Sequence, residues 1–240
     1  MNNQIYHLEN IGVCYKKGSF FPWKQEKFWA LKQISFDVFR GQTLGIIGRN
    51  GAGKSTLLKI LAGIILPDTG IIHREQATVT MQSLGAGFDP RLTGRQNIIL
   101  NGLLLGMKKK QIAQRTNEII KLADLGDFID KPIRHYSNGM RARLGFSIAY
   151  FVDTDIILID EALATGDQAF RAKASEMIKK KIKSNHTVIL VTHNMSLVRE
   201  LCDRVIEISN GYSLPEYPVQ QTIKRYQDIQ QSRKLVLESA

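Results

Sequence analysis

Apolar and polar residues alternate along the first part of the chain, from Ile5 to about Val38, with Ile34, Phe36 and Val38 at every second position ahead of a turn at Gly41. A period of two is what a half-buried strand requires, so antiparallel strands are predicted there. The texture changes from about Leu92 to Ala149, where "NIILNGLLLGMKKKQIAQRTNEIIKLADLGDFI" repeats its apolar residues at spacings of three and four and predicts helices. Three short runs are apolar throughout: "LGIIG" at 44–48, "IILID" at 156–160 and "VILVT" at 188–192. Continuous β-branched runs of that length fit parallel strands buried on both faces. The closing stretch "VQQTIKRYQDIQQSRKLVLESA" is mostly polar and helix-like, with Val219, Ile223 and Tyr226 on one side. These patterns predict an α/β fold with a mostly parallel sheet and an N-terminal antiparallel β subdomain. A helical subdomain is inserted at roughly 92–150 and a helical tail covers roughly 219–240, all within one domain spanning 1–240.

Each apolar run ends in residues capable of chemistry, and open α/β sheets bind ligands beyond the carboxyl ends of their strands. The first run leads into "GRNGAGKST", residues 48–56, which satisfies GxxxxGK[ST] and opens a predicted helix "TLLKILAGI". Gly48, Gly51 and Gly53, with Asn50 and Ala52 between them, let backbone N–H groups close around phosphates. Lys54 carries positive charge to the outer phosphates, and Ser55, followed by Thr56, is placed to ligand Mg²⁺. A P-loop NTPase core is therefore predicted. At the end of the second run, Asp160 is expected to hold the Mg²⁺ ion through water, and Glu161 to polarise an attacking water as general base. His193 follows the third run. A lone histidine is more often structural, but its place at a third converging strand end favours a γ-phosphate contact.

Composition narrows the classes without changing the elements. The 240 residues are 43% hydrophobic and 23% charged, which suits a globular chain rather than a disordered one. The two cysteines, Cys14 and Cys202, form no CxxC or Cys/His spacing, so neither a disulfide framework nor a zinc site is expected, and a reducing cytosol fits. The start "MNNQIYHLEN" lacks the regions of a signal peptide, and no apolar run approaches the roughly 18 residues that span a bilayer, so a soluble chain is expected. The net charge of +11 favours an anionic partner. Its lysine runs, "KKK" at 108–110 and "KKKIK" at 179–183, lack interleaved aromatics, so membrane proximity is preferred and nucleic acid is not expected.

A further segment, "HYSNGMRARLGFSIAY", has the form of a helix N-terminus that receives an anion: Ser137, Asn138 and Gly139 expose N–H groups where the helix dipole is positive. With "GRNGAGKST", "YSNGM", "IILIDE", "ATGD" and "THN" in this order, the chain resembles the nucleotide-binding subunit of an ATP-binding cassette (ABC) transporter over essentially its full length. The resemblance implies ATP and Mg²⁺ as cofactors, and a head-to-tail homodimer in which Ser137 and Gly139 bind the γ-phosphate held by the partner's P-loop. It also implies catalytic roles for Glu161, His193 and Lys54. Tyr15 takes the position of the aromatic that stacks on adenine, its other reading being a core strand residue. Gly166 and Asp167 match the loop across the dimer seam, and Gln82 the glutamine that senses metal and γ-phosphate.

Departures from the common pattern point to a subfamily. Asn138 replaces the first glycine and Met140 the glutamine of the usual Leu-Ser-Gly-Gly-Gln, and "ATGD" replaces Ser-Ala-Leu-Asp. With "FWALKQISF" and "LGAGFDPRLTGRQN", the chain is similar to exporters of O-antigens, capsular chains or teichoic acids. That likeness implies a separate integral-membrane permease, a lipid-linked polysaccharide as cargo, and a place on the cytoplasmic face of the inner membrane, peripheral through the permease. The segment 16–29, "KKGSFFPWKQEKFW", is expected to interrupt the strands as an aromatic, basic loop. It either touches membrane, permease or glycan or packs on its own domain. After the tail no room remains for a glycan-binding domain, so recognition of the polymer end is expected in another protein. The rival reading is an ABC ATPase with another cargo, or a soluble cassette protein acting on nucleic acid, supported only by charge.

Overall fold

The computed structural model describes residues 3–17, 26–82, 87–160, 168–182 and 186–238, which divide into two compact units. The first comprises residues 1–77 and 185–240, the second residues 78–184. The second unit is wider than the helical insert expected at 92–150, because it also takes in a strand before the helices and a strand and helix after them.

In the first unit, strands β1 (Gln4–Lys17) and β2 (Glu26–Phe39) form the expected antiparallel pair, and β4 (Thr69–Arg74) lines the other side of β1. The alternating residues Tyr6, Leu8, Ile11 and Val13 are buried, as are Leu31, Ile34, Phe36 and Val38 opposite them. The pairing corrects the loop expected at 16–29. Tyr15 pairs with Phe28 and Cys14 with Trp29, so both strands run well into that segment and Phe28 and Trp29 are strand residues. Trp29 also lies against its own sheet: a side chain at Gly12 would come within 3.1 Å of its ring. Phe20, Phe21 and Trp23 lie outside the described residues.

Strands β3 (Thr43–Ile47), β7 (Thr187–Val191) and β8 (Arg204–Ser209) run parallel, and β9 (Tyr212–Ser213) joins β8 to β2. The order within this unit is β4-β1-β2-β9-β8-β3-β7. Every residue of β3 and β7 is buried, as their unbroken apolar runs predict. Helix α1 (Lys54–Leu61) starts two residues before the predicted "TLLKILAGI" and ends at Ala62 ahead of Gly63, whose φ of 71° breaks the helix. Tyr6 donates from its hydroxyl to the Leu61 carbonyl at 2.6 Å, tying the end of α1 to the sheet. Helix α6 (Met195–Leu201) follows β7, and α7 (Val219–Glu238) forms the tail. Ile223 and Tyr226 of α7 are buried, on the side their spacing indicates.

In the second unit, β5 (Val79–Gln82) and β6 (Ile156–Asp160) pair in parallel. Around an apolar centre that includes Ile98, Ile119, Leu144 and Ile148 pack α2 (Gly94–Leu104), α3 (Lys109–Ala123) and α4 (Asn138–Tyr150). Thr93 and Gln96 form a reciprocal capping box at the start of α2. The fully buried Asn97 fastens the preceding loop, accepting from the Asp89 N–H and donating to the carbonyls of Asp89, Leu92 and Thr93. Helix α5 (Gln168–Ile182) packs Phe170 edge-on against Phe146 of α4. Among the described residues of the chain, no helix is long and apolar enough to cross a membrane.

Lys181 of α5 closes the far end of α4. Its ammonium donates to the carbonyls of Tyr150 at 2.6 Å and Val152 at 3.0 Å, where the helix dipole is negative. Burial pushes the Lys181 pKa down to about 8, against the pull of Asp153. Between pH 8 and about 10.5 the unfolded chain keeps a proton that the folded chain has released, so this site adds stability as pH rises through that window. In denaturant melts at pH 7, 8.5 and 10, the stability of the wild type relative to Lys181→Met should climb by an amount on the order of 2 kcal/mol. A difference that stays flat with pH would reject the buried ammonium.

Candidate functional site

The first unit carries one wall of the site. Strand β3 feeds the 48–53 loop, whose shape depends on absent side chains. A Cβ on Gly48 would run into the Ile208 carbonyl, and one on Gly53 would lie 2.5 Å from the Ala30 carbonyl. Gly53 adopts φ 104° where α1 begins, a left-handed conformation that glycine accepts at no steric cost. Gly53, the N-cap of α1, has no side chain to cap it and the first turn has no acidic residue, so no carboxylate competes with an anion at this positive end. The Ala52 N–H turns back to the Arg49 carbonyl at 3.1 Å, and Ala52 is buried while Arg49, Asn50 and Gly51 are exposed. Lys54 crosses the loop and donates to the carbonyls of Gly48 at 2.7 Å and Arg49 at 2.9 Å. Ser55 is exposed and Thr56 half-buried.

Two other predicted residues join this wall. Tyr15 is 41% exposed, which removes the core-residue reading, and its hydroxyl lies 3.5 Å from the Thr56 Oγ1. β7 pairs with β3 so that Val191 stands opposite Ile46, and the Thr192 N–H donates to the Ile46 carbonyl at 3.3 Å. His193 is thereby exposed at the same strand ends as the loop. Asn194 caps α6, accepting from the Ser196 and Leu197 N–H groups, and fixes the chain just beyond the histidine.

The second unit carries the others. Asp160 ends β6, and Gln82 ends β5 with its backbone opposite Ile159, so the two occupy the same end of one ladder despite their separation in sequence. Nothing beyond the backbone is described for Gln82, and Glu161, Gly166 and Asp167 lie outside the described residues. A serine hydroxyl and an aspartate carboxylate, such as those of Ser55 in the first unit and Asp160 in the second, are oxygen donors of the kind Mg²⁺ takes. Ser137 is the N-cap of α4, accepting from the Met140 N–H at 3.2 Å. The first turn of α4 contains no acidic residue, and Asn138 is exposed on it. Met140 packs against the helical core.

A strand, glycine loop and helix in P-loop form, with a histidine at the neighbouring strand end, invite comparison with known proteins. The family described as "ABC transporter" matches residues 31–164. The O-antigen export system ATP-binding protein RfbB of Klebsiella pneumoniae is 47% identical over 210 residues, covering 86% of this chain and 85% of that protein. This chain belongs to the ABC transporter family. The teichoic acids export ATP-binding protein TagH of Listeria monocytogenes is 41% identical over 216 residues, 88% of this chain and 64% of that protein. The dimeric ATP-binding cassette MJ0796, solved in a post-hydrolysis state with ADP and Pi, matches with a TM-score of 0.73 over 90% of this chain and 99% of that one, at 23% identity. The ABC fold, with its P-loop core, antiparallel strands and helical part, is thus the fold of this chain.

One residue of the ABC signature segment escaped the sequence reading. Tyr136 stands where the common pattern has leucine, and that substitution was the available signal. Its buried hydroxyl donates to the Phe128 carbonyl at 2.5 Å and accepts from the Gly94 N–H at the start of α2. A side chain on Gly94 would collide with that hydroxyl. Burial, with Asp130 nearby, raises the Tyr136 pKa. Tyr136→Phe keeps the ring but leaves a carbonyl and an N–H short of a partner, and should cost roughly 1–3 kcal/mol in urea unfolding. A loss below about 0.3 kcal/mol would mean that the hydroxyl does not hold the signature turn to α2.

Proposed function

We propose that this chain is the ATP-hydrolysing subunit of an ABC exporter that drives a lipid-linked polysaccharide, of the O-antigen, capsular or teichoic-acid kind, across the cytoplasmic membrane. The observation that carries the reading is 47% identity across 86% of the chain to an O-antigen export ATP-binding protein. The whole chain acts as one ATPase domain at the cytoplasmic face of the membrane, peripheral through a separate permease. An ABC ATPase serving another cargo is the alternative.

The family likeness supports a role for each candidate residue. Tyr15 stacks on adenine, and the N–H groups of the 48–53 loop and the start of α1 hold the phosphates, with Thr56 beside them. Lys54 exchanges its loop carbonyls for phosphate oxygens when ATP arrives. Ser55, Asp160 and Gln82 hold Mg²⁺, which when bound neutralises phosphate charge. Glu161 takes the proton of the attacking water, and His193 donates to the γ-phosphate side. Ser137 and Gly139, with the first turn of α4, which holds no acidic residue, receive the γ-phosphate held by a second copy, and Asp167 lies at that seam. ATP closes the homodimer, hydrolysis reopens it, and the stroke passes to the permease.

Two experiments test this. Glu161→Gln should bind ATP but hydrolyse it slower by about 100-fold or more, and cells carrying it should keep the polymer inside and lose it from the surface. Hydrolysis near the wild-type rate would remove Glu161 as base, and a normal surface polymer would remove the cargo. The second concerns the dimer. In a Glu161→Gln, Cys14→Ser background, one preparation carries Asn50→Cys and the other Asn138→Cys. Cys202 can stay, since burial pushes its pKa to about 12 and it meets Gly45 closely. A short bifunctional thiol reagent should give a mixed dimer with ATP and none without it. ATP binding without any mixed product, across several reagent lengths, would overturn the head-to-tail arrangement.

A further inference from the structure

The tail helix α7 reaches the phosphate loop through two independent sets of contacts. Ile223 and Tyr226 are buried in one cluster with Ile47, the residue immediately before the loop, and with Met195, two residues beyond His193. Between Ile223 and Tyr226, Arg225 Nη2 donates to Glu207 Oε2 at 2.8 Å, and Glu207 is only 6% exposed. In the β3–β8 ladder Glu207 stands opposite Ile47. The next residue, Ile208, supplies the carbonyl that occupies the place of a Gly48 side chain. Farther along α7, Ile229 and Gln230 face Asn50 and Gly51 across a cleft of about 310 Å³.

A buried carboxylate is costly without its cation, so the end of β8 is held where α7 holds Arg225. The Ile208 carbonyl is one wall of the loop, and a shift there moves the N–H groups that must converge on phosphate. We infer that α7 is a positioning element of the nucleotide site, and that Arg225 is a positioning residue acting through Glu207 on the Gly48–Gly53 loop. The inference rests on the reading of that loop as the phosphate site. It makes nucleotide affinity respond to anything that engages or lifts the tail.

The test uses the full chain and two readouts, hydrogen exchange of the peptide spanning residues 44–58 and calorimetric affinity for ADP with Mg²⁺. Arg225→Gln should speed exchange of that peptide by about tenfold while a peptide from α4 stays unchanged, and should weaken ADP binding by about fivefold. Glu207→Gln/Arg225→Gln, which removes both charges and keeps hydrogen-bonding reach, should bring both readouts back to within about twofold of wild type. A purely structural pair would lower the melting temperature and leave loop exchange and ADP affinity alone, and that result overturns the inference. Should Arg225→Gln fail to fold, Ile229→Ala/Gln230→Ala decides. It strips the α7 side of the cleft without exposing a buried charge, so weaker ADP binding with faster loop exchange supports the inference and wild-type values overturn it. A wild-type chain that bound no ADP would refute the phosphate-loop reading itself, and the exchange comparison would still report whether α7 positions the loop.

Discussion

The backbone of residues 48–53 must bring several N–H groups toward one point, and it can do so only because two other strands press on it where it has no side chains. The Ala30 carbonyl of β2 lies against Gly53, and the Ile208 carbonyl of β8 lies against Gly48. Those two strands are themselves locked together: the Lys32 and Gln33 N–H groups both donate to the Gly211 carbonyl, in the turn between β8 and β9. The antiparallel hairpin is thus part of the phosphate site although it carries none of the P-loop motif. The strand order, with β9 and β8 between β2 and β3, joins the alternating, half-exposed hairpin to the fully buried β3 in one sheet. Glycine at 48 and 53 follows from this packing as much as from the phosphate, since a methyl group at either place meets a backbone carbonyl, joined at Gly53 by the Leu31 side chain.

The second unit builds its anion-receiving end differently. Helix α4 is buried on nearly all sides, so its orientation is set by packing rather than by one apolar stripe. Its two ends are treated oppositely. Ser137 satisfies one N–H of the first turn and no carboxylate competes there, while Lys181 places a cation on the last carbonyls. The dipole therefore keeps its positive end open and has its negative end neutralised, the polarity that an N-terminal phosphate requires.

What could be read from the sequence was whatever a local pattern determines. The continuous runs at 44–48, 156–160 and 188–192 are buried strands, the stripe of Val219, Ile223 and Tyr226 is the docked face of α7, and "GRNGAGKST" is a strand-loop-helix. Contacts between distant segments were not legible. The alternation before Val38 does not fix where its strands begin, because the place of Phe28 and Trp29 comes from pairing with Tyr15 and Cys14. Arg225 and Glu207 read as ordinary solvated charges until β8 and α7 are brought together. Gln82 gained position rather than lost it: the gap to "LTGRQN" says little, whereas the β5–β6 register puts Gln82 and Asp160 at one strand end.

Besides Tyr136, the departures at Asn138 and Met140 in the signature segment have different physical weight. Asn138 is exposed on the first turn of α4, where its amide adds a donor and an acceptor next to the open N–H groups. Met140, in the place where the common pattern has glutamine, turns to the apolar centre of its own unit and packs there. A glutamine pointing the same way would bury an amide needing partners, so this core and this signature fit each other. Anion recognition at α4 then falls on backbone N–H groups, the Ser137 hydroxyl and Asn138, and owes nothing to the side chain at 140. Backbone donors are insensitive to the chemistry of a side chain, which is why the segment can depart at three of its five positions, Tyr136 included, and still present the same positive end.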